Sequence, residues 1–141
     1  MFNRTVLVNT AFTALNQQAP SSIPERGMIY SGGTAICALT SKMYSGQGGL
    51  ERAWSAIRTG TRVKLDAAVL DGTGYVAFGS PGGMFLLPWE VASQLTGENR
   101  NGRTAFVMER NRHNSWCFVG PRGARTNIDQ YRLQASTVEA A

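Results

Sequence analysis

Charge, histidine and cysteine are all scarce in this chain. Only 16% of its 141 residues are charged, with one histidine and two cysteines, where an ordinary domain is about a quarter charged. Cys37 and Cys117 are far apart in sequence and do not form a C-x-x-C pair. With a single histidine and no cluster of His, Asp and Glu, a zinc centre has no ligand set. No metal and no cofactor are therefore expected. Both cysteines sit in apolar runs, "TAICAL" and "SWCFV", and read as small buried hydrophobes. His113 has no nucleophile motif around it and reads as a polar turn residue. The glycine stretches "SGG", "GQGG" and "SPGG" match neither a Walker loop nor G-x-G-x-x-G, so they read as turns.

Long apolar runs are also lacking. None approaches the roughly 20 residues a membrane-spanning helix needs, so no membrane is expected as partner. In "MFNRTVLVNTAFTALNQQ" the residues Asn9, Thr10 and Asn16 break the apolar run before a signal-peptide core forms. The expected location is cytoplasmic, or a particle assembled inside the cell.

What the chain has is 43% apolar residues and 16 glycines in a length suited to one domain, 1–141. That length buries a core without disulfides, and the glycine content suits a turn-rich α+β domain. The net charge is +5, the pI about 9.8, and 12 of the 14 basic residues are arginine. Arginine binds phosphate through a planar, bidentate fork, so the balance points to a polyanion. A GC-rich genome and simple solubility would produce the same composition. Low charge also fits a surface covered by partners or by copies of the chain, which leaves a homo-oligomer open.

Patterning places the elements. "TVLV", near the start, is β-branched and predicts a first strand within 4–15. Residues 16–27 are a polar loop. Apolar runs at 28–30 and 34–39 predict two strands around Ser-Gly-Gly. In 50–58, Leu50, Trp54 and Ile57 fall on one helical face, Glu51 and Arg58 suit the dipole, and Gly60 is a stop, so a helix is predicted. In 61–70, Val63, Leu65, Ala67 and Val69 alternate with polar residues and predict a half-buried strand. "YVAFG" and "MFLL" predict two more strands. "PWEVASQL" predicts a helix with proline near its first position. "TAFVME" and "SWCFV" flank "RNRHN" as a hairpin, and "TNIDQYRL" predicts one helical turn. Residues 135–141 read as a loose tail. The expected fold is α+β: an antiparallel or mixed sheet of about five to seven strands with two short helices packed on it. The likeness of "YVAFGSPGG" to "WCFVGPRGA" needs no duplication, since two hairpins built by the same physics share it.

Three constellations bear on chemistry. "MIY" ends at Tyr30, "YSG" starts at Tyr44, and Arg52 follows on the expected helix. This set resembles part of the GIY-YIG nuclease superfamily over about 27 residues. The resemblance implies that Tyr30 and Tyr44 help activate water and that Arg52 steadies the phosphate. Where the family carries a histidine one turn after the arginine, this chain has Ala56; Glu90, Glu98 and Glu109 are the later candidates for a metal glutamate. The plainer reading makes the tyrosines strand aromatics and Arg52 helix surface. The expected element order is that of the PD-(D/E)XK nucleases, but "YVAFG" has no acid and "MFLL" no lysine, so that site is absent.

The third constellation is the basic C-terminal third. Between Glu98 and Arg132 lie seven arginines and three acids. Arg110, Asn111, Arg112, His113 and Asn114 fall at the expected hairpin tip, with Arg122 and Arg125 in the next turn. A basic ribbon tip of this kind clamps phosphates or enters a groove. Trp116 is expected in the core. The functional expectation is a small, basic, non-enzymatic binding protein of phage or mobile-element accessory type, contacting nucleic acid or an acidic protein surface through these residues. The alternatives are a structural component of a viral or other particle, and the GIY-YIG-like nuclease.

Overall fold

The computed structural model describes residues 3–71, 73–96, 99–100 and 102–134. The expected tail 135–141 and Glu98 lie outside them. The chain forms an α+β domain with two sheets, and three of its longer segments take a different form from the one their patterning predicts.

The first is α1, Arg4–Ala14. Asn3 is extended and its side chain accepts the Val6 N–H at 2.9 Å, an N-cap. Leu7 stacks in helical spacing with Ala11, and Val8 with Phe12; all four are buried. Packing of that face outweighs the strand preference of Val6 and Val8, so the expected first strand is a helix. Arg4 fastens its N-terminal end, donating to the backbone carbonyls of Pro24, Ala38 and Gly27.

The chain then forms β1 (Met28–Ser31) and β2 (Thr34–Thr40), an antiparallel hairpin turned at Gly32 and Gly33, both with positive φ. It passes to β3 (Met43–Ser45) and β4 (Glu51–Arg58), then α2 (Thr59–Leu70). Here helix and strand are exchanged relative to expectation. Residues 51–58 carry both periods, and eight register pairs with a neighbouring strand settle them as strand. Residues 61–70 also carry both, and settle as helix. Leu65, Ala68 and Val69 turn to the core while Val63 is 61% exposed. Gly60, expected to stop a helix, lies in the first turn of one. Arg62 donates to the Thr104 hydroxyl, and Asp66 accepts the Trp89 indole N–H at 2.7 Å.

Of the remaining elements, β5 (Gly74–Ser80), β6 (Gly83–Pro88), α3 (Trp89–Ala92), β8 (Arg103–Arg110) and β9 (Trp116–Val119) follow expectation. β7 (Asn99–Arg100) and β10 (Arg125–Asn127) are short strands where patterning predicts loop and, from Thr126, a helical turn; antiparallel pairing with β8 and β9 makes them strand. A 3-10 turn, Asp129–Tyr131, stands where one helical turn is expected.

The first sheet has the order β1-β2-β5-β6, with β2 and β5 parallel and the other pairs antiparallel. The second runs β10-β9-β8-β4-β3, antiparallel throughout, and β7 pairs with β8. The sheets enclose the main core. At its centre Phe78 meets Phe106 and Phe118 edge-on, with ring centroids 5.0 and 5.3 Å apart. A second cluster lies between α1 and the other face of the first sheet, built from Leu7, Phe12, Ile29, Ile36, Ala77 and Leu86 among others. The layers are thus α1, first sheet, second sheet. Neither cluster includes the outward residues of the second sheet. No helix among the described residues is long and apolar enough to cross a membrane.

Candidate nucleic-acid interface

The outward face of the second sheet is built by strand alternation. On β4, Ala53, Ser55 and Ile57 point into the core, which leaves Arg52, Trp54, Ala56 and Arg58 on the other side. Register then lines up their neighbours. Tyr44 stands opposite Arg52, Arg52 opposite Glu109, Glu109 opposite Cys117, and Cys117 opposite Asn127. Farther along, Trp54 pairs with Val107, Ala56 with Ala105, Arg58 with Arg103, and Arg125 with Val119. The face therefore bears Arg52, Arg58, Arg103 and Arg125 against one carboxylate. Two large aromatics lie open on it, Trp54 at 48% and Tyr44 at 43% exposure.

The carboxylate organises the middle of this face. Glu109 is only 3% exposed. Its Oε2 accepts from Arg52 Nε at 2.9 Å, and its Oε1 from Arg125 Nε at 2.8 Å. The Arg125 hydrogen bond is the largest influence on its acidity. Burial opposes it, Arg52 adds to it, and the net effect holds the carboxyl below its usual range. Arg52 engages Glu109 through Nε, and 21% of its side chain stays exposed. Its stem crosses Gly46, where a Cβ would lie 2.5 Å from Arg52 Cδ. Glycine at 46 is thus a packing requirement; its φ of −90° suits any residue.

The hairpin residues divide into different roles. Arg110 turns inward, pairs with Glu51 and lies over the Trp116 ring, 5.6 Å from its centroid. Asn111 builds the turn, its Oδ1 accepting the N–H groups of His113 and Ser115 at 2.8 and 3.0 Å. Asn114 takes the positive φ of 61° the turn requires. Arg112 and His113 are exposed at the tip. Arg122 lies in the 3-10 turn Pro121–Gly123, at the opposite end of β9 from the tip. The sequence cluster is therefore not one patch: Arg112 and Arg122 flank β9, Arg125 lies on the open face, and Arg110, part-exposed, turns to the opposite side toward Glu51 and Trp116.

Asp129 roots the tip. It accepts the Ser115 hydroxyl at 2.5 Å, the Trp116 N–H at 2.8 Å and the Asn127 amide at 3.3 Å. Burial pushes its pKa up, but these hydrogen bonds outweigh burial and hold it below its usual value. Trp116 is fully buried, as expected.

The tyrosine–arginine set is not assembled on one element pair. Tyr30 lies on β1 of the first sheet, lining a shallow cavity with Lys64, Ala67 and Asp71 of α2 and its C-terminal end. Tyr44 and Arg52 are neighbours on the second sheet, and Arg52 is on a strand, not a helix. Cys37 is buried; burial pushes its thiol up to about 11, against a smaller pull from Arg4. Cys117 is half-buried on the open face, with its thiol pushed up by burial and then by Glu109. No group of His, Cys, Asp and Glu among the described residues could hold a metal.

Sequence reading missed Trp54, Arg58, Arg103 and Glu109 as a group. The signal was the alternation Arg52, Trp54, Ala56, Arg58 against Ala53, Ser55, Ile57, masked by an equally good helical period. No family model, curated protein or solved structure matches the chain.

Glu109 and Asp129 give the stability a definite pH dependence. Both carboxyls are more acidic folded than in an unfolded chain, where they titrate near pH ~4. Their contribution is complete above that range and is lost as pH falls through the folded values. Urea midpoints should be level from pH 8 to about 5 and then fall. The fall should be shallower in the double variant Glu109→Gln/Asp129→Asn, whose side chains do not titrate.

Proposed function

We propose that the chain is a non-enzymatic binding protein that contacts nucleic acid through the open face of its second sheet. The observation that supports this is the face itself, uncovered among the described residues, with Arg52 and Arg125 paired to a buried, neutralised carboxylate and Arg58 and Arg103 free of it at the far end of the strands. Among the described residues, the other sheet faces pack against α1 or the opposite sheet. Arg112 and Arg122 add exposed positive charge beyond the two ends of β9. A polyanion gains from such an array by releasing its counterions, which makes binding steeply salt-dependent.

The experiment is a titration with labelled oligonucleotides over a series of salt concentrations. Log affinity should fall linearly with log salt, with a slope of at least about −2. The charge-reversal pair Arg58→Glu/Arg103→Glu, on exposed strand ends, should weaken binding without shifting the thermal midpoint appreciably. Absence of salt-dependent binding contradicts the reading. If an acidic protein competes for the same arginines while nucleic acid does not bind, the face belongs to an acidic protein partner. Concentration-dependent association that buries Trp54 without any ligand would assign it to self-assembly, as a particle component requires.

A further inference from the structure

We infer that the nucleic acid this face takes is single-stranded, with bases stacked on Tyr44 and Trp54 and a phosphate held by Arg52. The inference rests on the reading of this face as a nucleic-acid interface, and names which form of nucleic acid it selects.

Tyr44 pairs directly with Arg52, and Trp54 is two residues farther along β4. The two aromatics are therefore diagonal neighbours on one pleated surface, roughly 7–8 Å apart at the backbone. Both are about half exposed, while Trp89 and Trp116 are buried. A five-strand face, at about 4.8 Å per strand, is broader than the roughly 12 Å major groove, and paired bases offer no exposed ring face to stack on. Unpaired bases do, and stacking on aromatic side chains is how sheet-based modules hold single strands.

Arg52 lies between these rings in the register and completes the site. Its Nε is held by buried Glu109 and its stem packs over Gly46, which orders the guanidinium on the open face. A phosphate between two stacked bases meets a guanidinium already ordered. Glu109 and Gly46 are positioning residues: they act through Arg52.

The test is fluorescence anisotropy with a labelled single-stranded oligonucleotide of about 12 residues and with the corresponding duplex, at one salt concentration. The single strand should bind at least about ten-fold more tightly. Trp54→Ala and Tyr44→Ala should each reduce single-strand affinity about ten-fold and leave duplex affinity unchanged. In the unaltered protein, the single strand should quench tryptophan emission, and Trp54→Phe should abolish the quenching. That readout does not depend on any alanine variant folding. Gly46→Ala should weaken binding several-fold and make the salt slope shallower by about 0.7, the contribution of one phosphate contact on a single strand. A merely structural defect would leave that slope unchanged.

Equal affinity for duplex and single strand, with no quenching, overturns the single-strand inference but leaves the nucleic-acid reading standing. Binding of neither overturns both.

Discussion

Phe78→Ala should cost about 3–5 kcal/mol, close to the limit of what a single-domain protein tolerates. Phe78 is fully buried on β5 and meets Phe106 and Phe118, both on the second sheet. Truncation removes the ring's burial, leaves a cavity and breaks both edge-on contacts at once. The loss falls on the packing between the two sheets, since α1 packs on the other face of the first. Chemical denaturation should show a lower midpoint with a single transition. Trp54→Ala, a larger deletion by volume, should shift the midpoint hardly at all, because Trp54 is about half exposed and outside both clusters. The contrast separates aromatics that hold the fold from those left on its surface.

Asp129→Ala should cost about 2–3 kcal/mol, large for a residue outside the apolar core. Its carboxylate accepts from the Ser115 hydroxyl, the Trp116 N–H and the Asn127 amide. Those groups belong to the base of the β8–β9 hairpin and to the end of β10. Without the carboxylate, the part-buried Trp116 N–H and Ser115 hydroxyl lose their acceptor, and desolvation is no longer offset. Asp129→Asn keeps the shape and one acceptor oxygen, so it should recover part of the loss. Hydrogen exchange should show the loosening first at Ser115–Phe118 and Thr126–Asn127, with α1 protected as before.

The α+β class was legible because it follows from glycine-bounded apolar runs, and runs such as "YVAFG" and "MFLL" are unambiguous. Elements with two valid periods were not legible locally. Residues 51–58 satisfy a helix through Leu50, Trp54 and Ile57, and a strand through Ala53, Ser55 and Ile57. Pairing with β8, some fifty residues on, decides between them. The same ambiguity in 61–70 resolves as helix through Leu65, Ala68 and Val69. Only in α1 was a local signal available and missed: Asn3 as cap, with Leu7, Val8, Ala11 and Phe12 in helical spacing.

The site was harder to read for the same reason. Placing Trp54 on a helix turns it inward and separates it from Arg52. Placing it on a strand sets both on one face. The arginines of the C-terminal third were visible as a cluster in sequence, but a hairpin and a turn at opposite ends of β9 distribute them. Arg110 is drawn to the other side of its strand by Glu51 and Trp116, neither of which is near it in an extended chain.

The most direct test of the account is a map of backbone amide shifts on adding a short single-stranded oligonucleotide. The account predicts perturbations concentrated at Tyr44, Arg52, Trp54, Arg58, Arg103, Val107, Cys117 and Arg125, with α1 and the first sheet unmoved. Perturbations centred on α1, α2 or the Tyr30 cavity, or none at all, would contradict it.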